Sequence, residues 1–194
     1  LSADNIYNHN PESYYYLGII YFSKKYGHYD VEKAIHYLTL AANKNYLDSH
    51  YQLGKIYFIV GNVNKALYHF TISANQNNSE AQYRLGHIFY DGIYVSKDIN
   101  KAIKYFSLAA QNNNLNAIYY LGVIYFENES KDVNKAIQYL TYAANNGILD
   151  ANAMLGKIYY NDKTKHDINK AIHYFTLAAK SHNPIYQCNL AIVY

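Results

Sequence analysis

The side chains able to do chemistry are unevenly supplied: nine His, one Cys, 14 Asp and Glu, 17 Lys and Arg, and 26 Tyr with no Trp in 194 residues. A zinc site would need Cys and His at short fixed spacings, and neither such pairs nor a His-Glu-x-x-His segment is present. Covalent catalysis would need a nucleophile on a sharp turn, and phosphate transfer a Gly-rich cradle; the sequence has neither. No enzyme activity, no cofactor and no metal are therefore expected. What is abundant is the phenol, a large apolar ring with a polar tip, the combination favoured at protein interfaces.

These rings recur in register with other residues. Leu-Gly stands at Leu17-Gly18, Leu53-Gly54, Leu85-Gly86, Leu121-Gly122 and Leu155-Gly156, with a degenerate copy at Leu190-Ala191, in steps of 36, 32, 36, 34 and 35 residues. Lys-Ala stands at Lys33-Ala34, Lys65-Ala66, Lys101-Ala102, Lys135-Ala136 and Lys170-Ala171. From each of these Ala residues to the next Gly (or Ala191) is always 20 residues, whereas Gly to Ala within a repeat is 16, 12, 16, 14 and 15. Length variation is thus confined to one loop, as expected where a loop crosses the surface and a packed turn does not.

A period of this size is that of a helical hairpin. The first helix of each pair carries Leu before the Gly and an aromatic three after it, Tyr21, Tyr57, Phe89, Tyr125 and Tyr159, on one helical face. The Gly allows the second helix to approach closely. That second helix starts at Asp30, Asn62, Asp98, Asp132 and Asp167, favoured N-cap residues. Neither helix buries its apolar face alone, so stability must come from neighbours.

The pattern Ala-x-x-x-Leu-Gly-x-x-Tyr, a variable loop, then Asp-x-x-Lys-Ala-x-x-Tyr-Phe/Leu-x-x-Ala-Ala resembles the Sel1-like repeat of the tetratricopeptide superfamily, most closely over 81–110. The resemblance implies an all-α, right-handed α-α superhelix acting as a non-catalytic scaffold or adaptor that binds a protein or linear peptide through its concave face. An alternative is a regulatory or targeting region of a larger enzyme, for example a kinase or hydrolase. The expected organisation is a tail of a preceding repeat at 1–12, five repeats within 13–182 (about 13–44, 49–76, 81–112, 117–146 and 151–182), and the first helix of a sixth at 185–194. Both ends are then expected to expose repeat surfaces and to favour self-association.

By analogy with tetratricopeptide arrays, a stripe on the first helices lines the groove. Tyr15, Tyr51, Tyr83 and Tyr119 stand three before the Gly, with Ala153 breaking the series; Phe22, Phe58, Tyr90, Phe126 and Tyr160 stand four after. The expected partner-binding residues are Tyr15, Tyr51, Lys55, Tyr83, His87, Tyr90, Tyr119 and Phe126, matched to a linear ligand of about nine residues at ~3.3 Å per residue. Lys55 and His87 could meet an acidic side chain of that ligand. The same Tyr series also serves packing between first helices, and the two readings are compatible. Glu12, Asp48, Glu80 and Asp150 suit the positive end of the first helices. The recurrent Lys before each Ala opposes the dipole of the second helix, which implies a carboxylate partner nearby. His36 and His173 share a position with Tyr68, Lys104 and Gln138, which reads as solvated.

A net charge of +3 without basic runs gives no footprint for nucleic acid. Cys188 stands alone, excluding an internal disulfide framework and favouring a reducing, cytoplasmic setting; by its register it is expected to be a buried thiol. The longest apolar run, Tyr14 to Phe22, is too short to span a bilayer, and no membrane partner is expected.

Overall fold

A computed structural model of the protein describes residues 10–128, 131–180 and 184–193. The described residues form eleven α-helices and no strand: α1 Pro11–Phe22, α2 Val31–Asn43, α3 Asp48–Ile59, α4 Val63–Asn75, α5 Ser79–Asp91, α6 Ile99–Gln111, α7 Leu115–Glu127, α8 Val133–Asn145, α9 Leu149–Asn161, α10 Ile168–Ala179 and α11 Pro184–Val193. Each helix packs on the ones before and after it in the chain, so the array is one all-α stack of hairpins. Of the expected leading tail, 1–9 lies outside the described residues, and Asn10 caps α1 by accepting the Glu12 amide. Among the described residues no helix is long and apolar enough to cross a membrane.

Two backbone devices set the register. Between a second helix and the next first helix, Asn45, Asn77, Asn113 and Gly147 occupy the left-handed region, with φ of 62°, 63°, 58° and 95°. Asn and Gly tolerate that conformation. The following amide then reaches back to the helix, as from Tyr46 to the Ala41 carbonyl (3.0 Å) and from Asn114 to that of Ala109 (3.0 Å). This tight ending fixes the constant spacing. The variable loop on the opposite side is clamped at its base: the N-cap amides of Asp30, Asn62, Asp98, Asp132 and Asp167 donate to the carbonyls of Tyr21, Tyr57, Phe89, Tyr125 and Tyr159 at 2.8–2.9 Å. Loop length can change because this bond does not.

The same caps account for the recurrent Lys. Each cap side chain accepts the amide of Lys33, Lys65, Lys101, Lys135 or Lys170. In the four repeats with Asp, the carboxylate also pairs with that Lys ammonium at 3.1–3.5 Å. All five ammonium groups lie 5.0–5.3 Å from the ring of the first-helix aromatic. That ring stacks in turn on Tyr37, His69, Tyr105, Tyr139 or Tyr174 of the second helix, with centroids 5.4–5.9 Å apart. Cap, cation and two rings thus form one unit per hairpin, and in the four Asp-capped hairpins the local carboxylate partner of the Lys is its own N-cap.

The core lies along the hairpin interfaces. Leu38, Phe70, Phe106, Leu140 and Phe175 are buried against Gly18, Gly54, Gly86, Gly122 and Gly156, so close that a Cβ on any of these Gly would fall 2.5–2.6 Å from the facing side chain. The close approach inferred from the Gly series is real. Burial of each such side chain contributes about 1.5–3 kcal/mol.

Candidate partner-binding face

The first helices α1, α3, α5, α7 and α9 carry the stripe. Its rings are half-buried: each packs on a neighbouring element and keeps an open side. Tyr15 packs on Tyr46 at 4.8 Å and accepts a hydrogen bond from Gln52 Nε2 (3.3 Å), tying α1 to α3. Tyr51 packs on Phe70 at 6.1 Å under the Lys55 ammonium, 5.4 Å away, and Lys55 also donates to Gln52 Oε1 (3.2 Å). Burial pushes the Tyr51 phenol up and Arg84 opposes the shift.

Repeats three and four hold the densest group. Tyr83 packs on Phe106 and Tyr120, both at 6.0 Å, and Tyr90 on Tyr120 at 5.5 Å. His87 Nδ1 lies 2.8 Å from Asp91 Oδ2, and its Nε2 lies 3.0 Å from the Tyr120 hydroxyl. With Nδ1–H facing the carboxylate, Nε2 accepts the Tyr120 proton. Both nitrogens of His87 are therefore engaged within the chain, so it is not a free base for an acidic ligand. The Tyr90 hydroxyl donates to Glu127 Oε2 (3.3 Å), and Lys157 approaches Glu127 Oε1 at 3.7 Å. Burial pushes the phenols of Tyr83 and Tyr90 up to about 12, and Glu127 adds to the shift at Tyr90. These are neutral phenols at physiological pH, not nucleophiles.

Tyr119 is half-buried, and burial followed by the Asp150 charge pushes its phenol up. It meets Tyr83 only through Tyr120, whose ring is 5.3 Å from that of Tyr119. Phe126 lies beneath Lys131 (4.4 Å) and Lys157 (6.0 Å). Lys131 also pairs with Asp162 at 2.7 Å, and its ammonium, with the Thr164 hydroxyl and amide, holds the Asp162 carboxyl down to about 2.

The stripe is thus continuous, but bridged by residues outside the recurrent series. Gln52, Arg84 and Tyr120 all stand two before the Gly, where Tyr16 and Met154 complete a row with no common chemistry. A search for recurrence passes over such a row; its only signal is variability within an otherwise fixed frame. The first-turn acids also do more than meet a dipole. Glu80 accepts from Asn114 of the next repeat (2.8 Å), and Asp150 accepts from Tyr186 of α11. Cys188 departs from expectation: it is exposed on α11. Among the described residues no three His, Cys, Asp or Glu side chains gather as metal ligands.

A comparison with curated proteins gives no match. Among solved structures, a Sel1 repeat protein from Oxalobacter formigenes is 27% identical with a TM-score of 0.79, over 100% of this chain and 81% of that one. The protective antigen c5321, present in uropathogenic Escherichia coli strains and displaying an SLR fold, is 24% identical with a TM-score of 0.82. That match covers 95% of this chain and 41% of the antigen, so the chain spans less than half of it. The Sel1 repeat signature itself occurs five times in succession, at 11–46, 47–78, 79–114, 115–148 and 149–183. The chain accordingly belongs to the Sel1 repeat family, whose arrays generally mediate protein–protein contact and are generally non-catalytic.

Proposed function

We propose that the protein is a scaffold or adaptor that holds a linear segment of a partner protein along the aromatic stripe of its first helices. The observation that carries this reading is the set of half-buried rings, from Tyr15 and Tyr51 through Tyr83, Tyr90 and Tyr119 to Phe126, of which Tyr15, Tyr83 and Tyr90 are held across repeat boundaries by Gln52, Tyr120 and Glu127. Rings already immobilised lose little entropy on binding, and aromatic anchors dominate interface energies. Contacts of α5 with α7 and of α7 with α9 support a reading in which the first helices form the inner side of the array. Between second helices, clefts open instead, one of about 450 Å³ beside Tyr139 and Tyr142 and one of about 780 Å³ beside Gln138 and Lys170.

The test is to isolate a partner by affinity capture, map its minimal segment, and measure binding by calorimetry. Tyr83→Ala should weaken it by at least about 2 kcal/mol, while Tyr83→Phe, which keeps the ring packing, should retain most of the affinity. His36→Ala, on the exposed side of α2, should change nothing. Normal binding by a folded Tyr83→Ala protein would move the partner to another surface.

A further inference from the structure

The stripe's own cations mark where a partner's charge can fit. Lys55 lies over Tyr51, Arg84 over Tyr83, Lys97 over Tyr90, and Lys131 and Lys157 over Phe126, at 4.4–6.0 Å. Among the described residues no ammonium or guanidinium lies over Tyr119 or Tyr120. Carboxylates flank them instead: Asp91 is linked to Tyr120 through His87, at 2.8 and 3.0 Å, and Asp150 stands in the first turn of α9, which touches α7, where its charge raises both phenols. Hydrogen-bond accounting gives the same sign. The Tyr120 proton is committed to His87, and the Tyr186 proton to Asp150. This stretch therefore offers half-buried ring edges, phenol lone pairs and the second carboxylate oxygens, Asp91 Oδ1 and Asp150 Oδ2, beyond those already engaged by His87 and Tyr186.

We propose that the Tyr119–Tyr120 face, flanked by Asp91 and Asp150, receives an Arg or Lys side chain of the partner segment. The inference rests on the stripe being the binding face and names the chemistry of what it binds. It differs from the expectation that Lys55 and His87 meet an acidic side chain, since both His87 nitrogens are bonded within the chain. Bulk charge cannot mimic it: the chain is +3 overall and favours acidic peptides non-specifically.

The probe is a fluorescein-labelled nine-residue peptide of Gly, Ser and Ala carrying three Arg, compared with its counterpart carrying three Glu. Fluorescence anisotropy at low salt should show the Arg peptide binding at least about tenfold more tightly, with the preference shrinking as salt rises. Asp150→Asn and Asp91→Asn should each weaken the Arg peptide about threefold or more, whereas Glu32→Gln on the exposed side of α2 should not. Absence of Arg-peptide binding up to millimolar protein, equal or tighter Glu-peptide binding, or indifference to both Asp changes would overturn the proposal. If a captured partner loses affinity with Tyr83→Ala yet ignores both Asp changes, the binding face stands and only its ligand chemistry falls.

Discussion

Replacing Gly86 by Ala sets two known effects against each other. In isolation the change should stabilise α5, since Ala is the better helix former by about 1 kcal/mol. In place, the new Cβ would lie 2.6 Å from Phe106 Cδ1 and 2.7 Å from Cε1, against an ordinary carbon–carbon contact of about 3.5–4.0 Å. Relief requires the ring or the helix to retreat by roughly 1 Å. Phe106 has no room to do so: it is fully buried, stacked on Tyr120 at 5.2 Å, and flanked by Tyr83 at 6.0 Å and Tyr90 at 6.5 Å. Overpacking of this kind costs about 1–3 kcal/mol and here belongs at or above the upper end, for a net loss of about 2 kcal/mol. The assay is urea unfolding followed by far-ultraviolet circular dichroism, with hydrogen exchange to localise the loss to α5, α6 and their neighbours. Gly61→Ala is the comparison, because nothing lies within 4 Å of its Cβ and only its φ of 81° penalises the change, by about 1 kcal/mol. A Gly86→Ala protein as stable as the parent would refute the close-packing argument.

Other perturbations separate the remaining contributions. His69 packs against His50, Nδ1 to Nδ1 at 3.0 Å, and burial, with His50 and Lys65 nearby, lowers its pKa to about 4. A folded-state pKa below the unfolded value of about 6.5 makes stability fall as pH drops from 6.5 towards 4, by about 1–2 kcal/mol for this half-buried pair, and His69→Tyr, the residue of the other repeats, should flatten that slope in denaturation titrations. At the α6 cap, Asp98→Ala should lower the unfolding midpoint, whereas Asp98→Asn should nearly preserve it, since Asn62 already caps α4 in the same way. Lys131→Met should raise the Asp162 pKa from about 2 towards the ordinary 3.8, read by carboxyl nuclear magnetic resonance; the stability that the depressed pKa supplies above pH 4, and that is lost between about pH 4 and 2, should then shrink.

The helical hairpins were legible because identical physical demands recur at identical positions. Gly86 and its equivalents announce a close approach, Asp98 and its equivalents a cap, and Phe89 and its equivalents a buried face. The left-handed turn residues were equally recurrent, Asn45, Asn77, Asn113 and Gly147, and pass unnoticed only if Asn is read as compositional bias rather than as a residue that tolerates positive φ. The Lys partner was not visible because a side chain at the N-cap serves the amide three residues on and, in the same geometry, the ammonium of that residue. Tyr120 and Arg84 were invisible for the opposite reason: they do not recur, and nothing in a single repeat tells which neighbour a half-exposed side chain will meet. Cys188 shares the register of Tyr15 and its equivalents and is nevertheless exposed, because a position in the repeat does not by itself fix burial.

Recurrence and variability therefore divide the molecule by role. Positions shared by all hairpins close each loop, cap each helix and seat each core ring, and altering them costs stability. The row two before each Gly, Tyr16, Gln52, Arg84, Tyr120 and Met154, varies within that frame, although Tyr120 also packs on the core ring Phe106. Gln52 reaches Tyr15, Tyr120 joins Tyr83, Tyr90 and Tyr119, and Arg84 adds a cation over Tyr83. Each such side chain changes the donors, acceptors or charge next to an immobilised ring while leaving the hairpin frame intact. On the proposed binding face, substitution in this row would change partner choice, because its side chains set the donors, acceptors and charge beside each ring as well as steadying it.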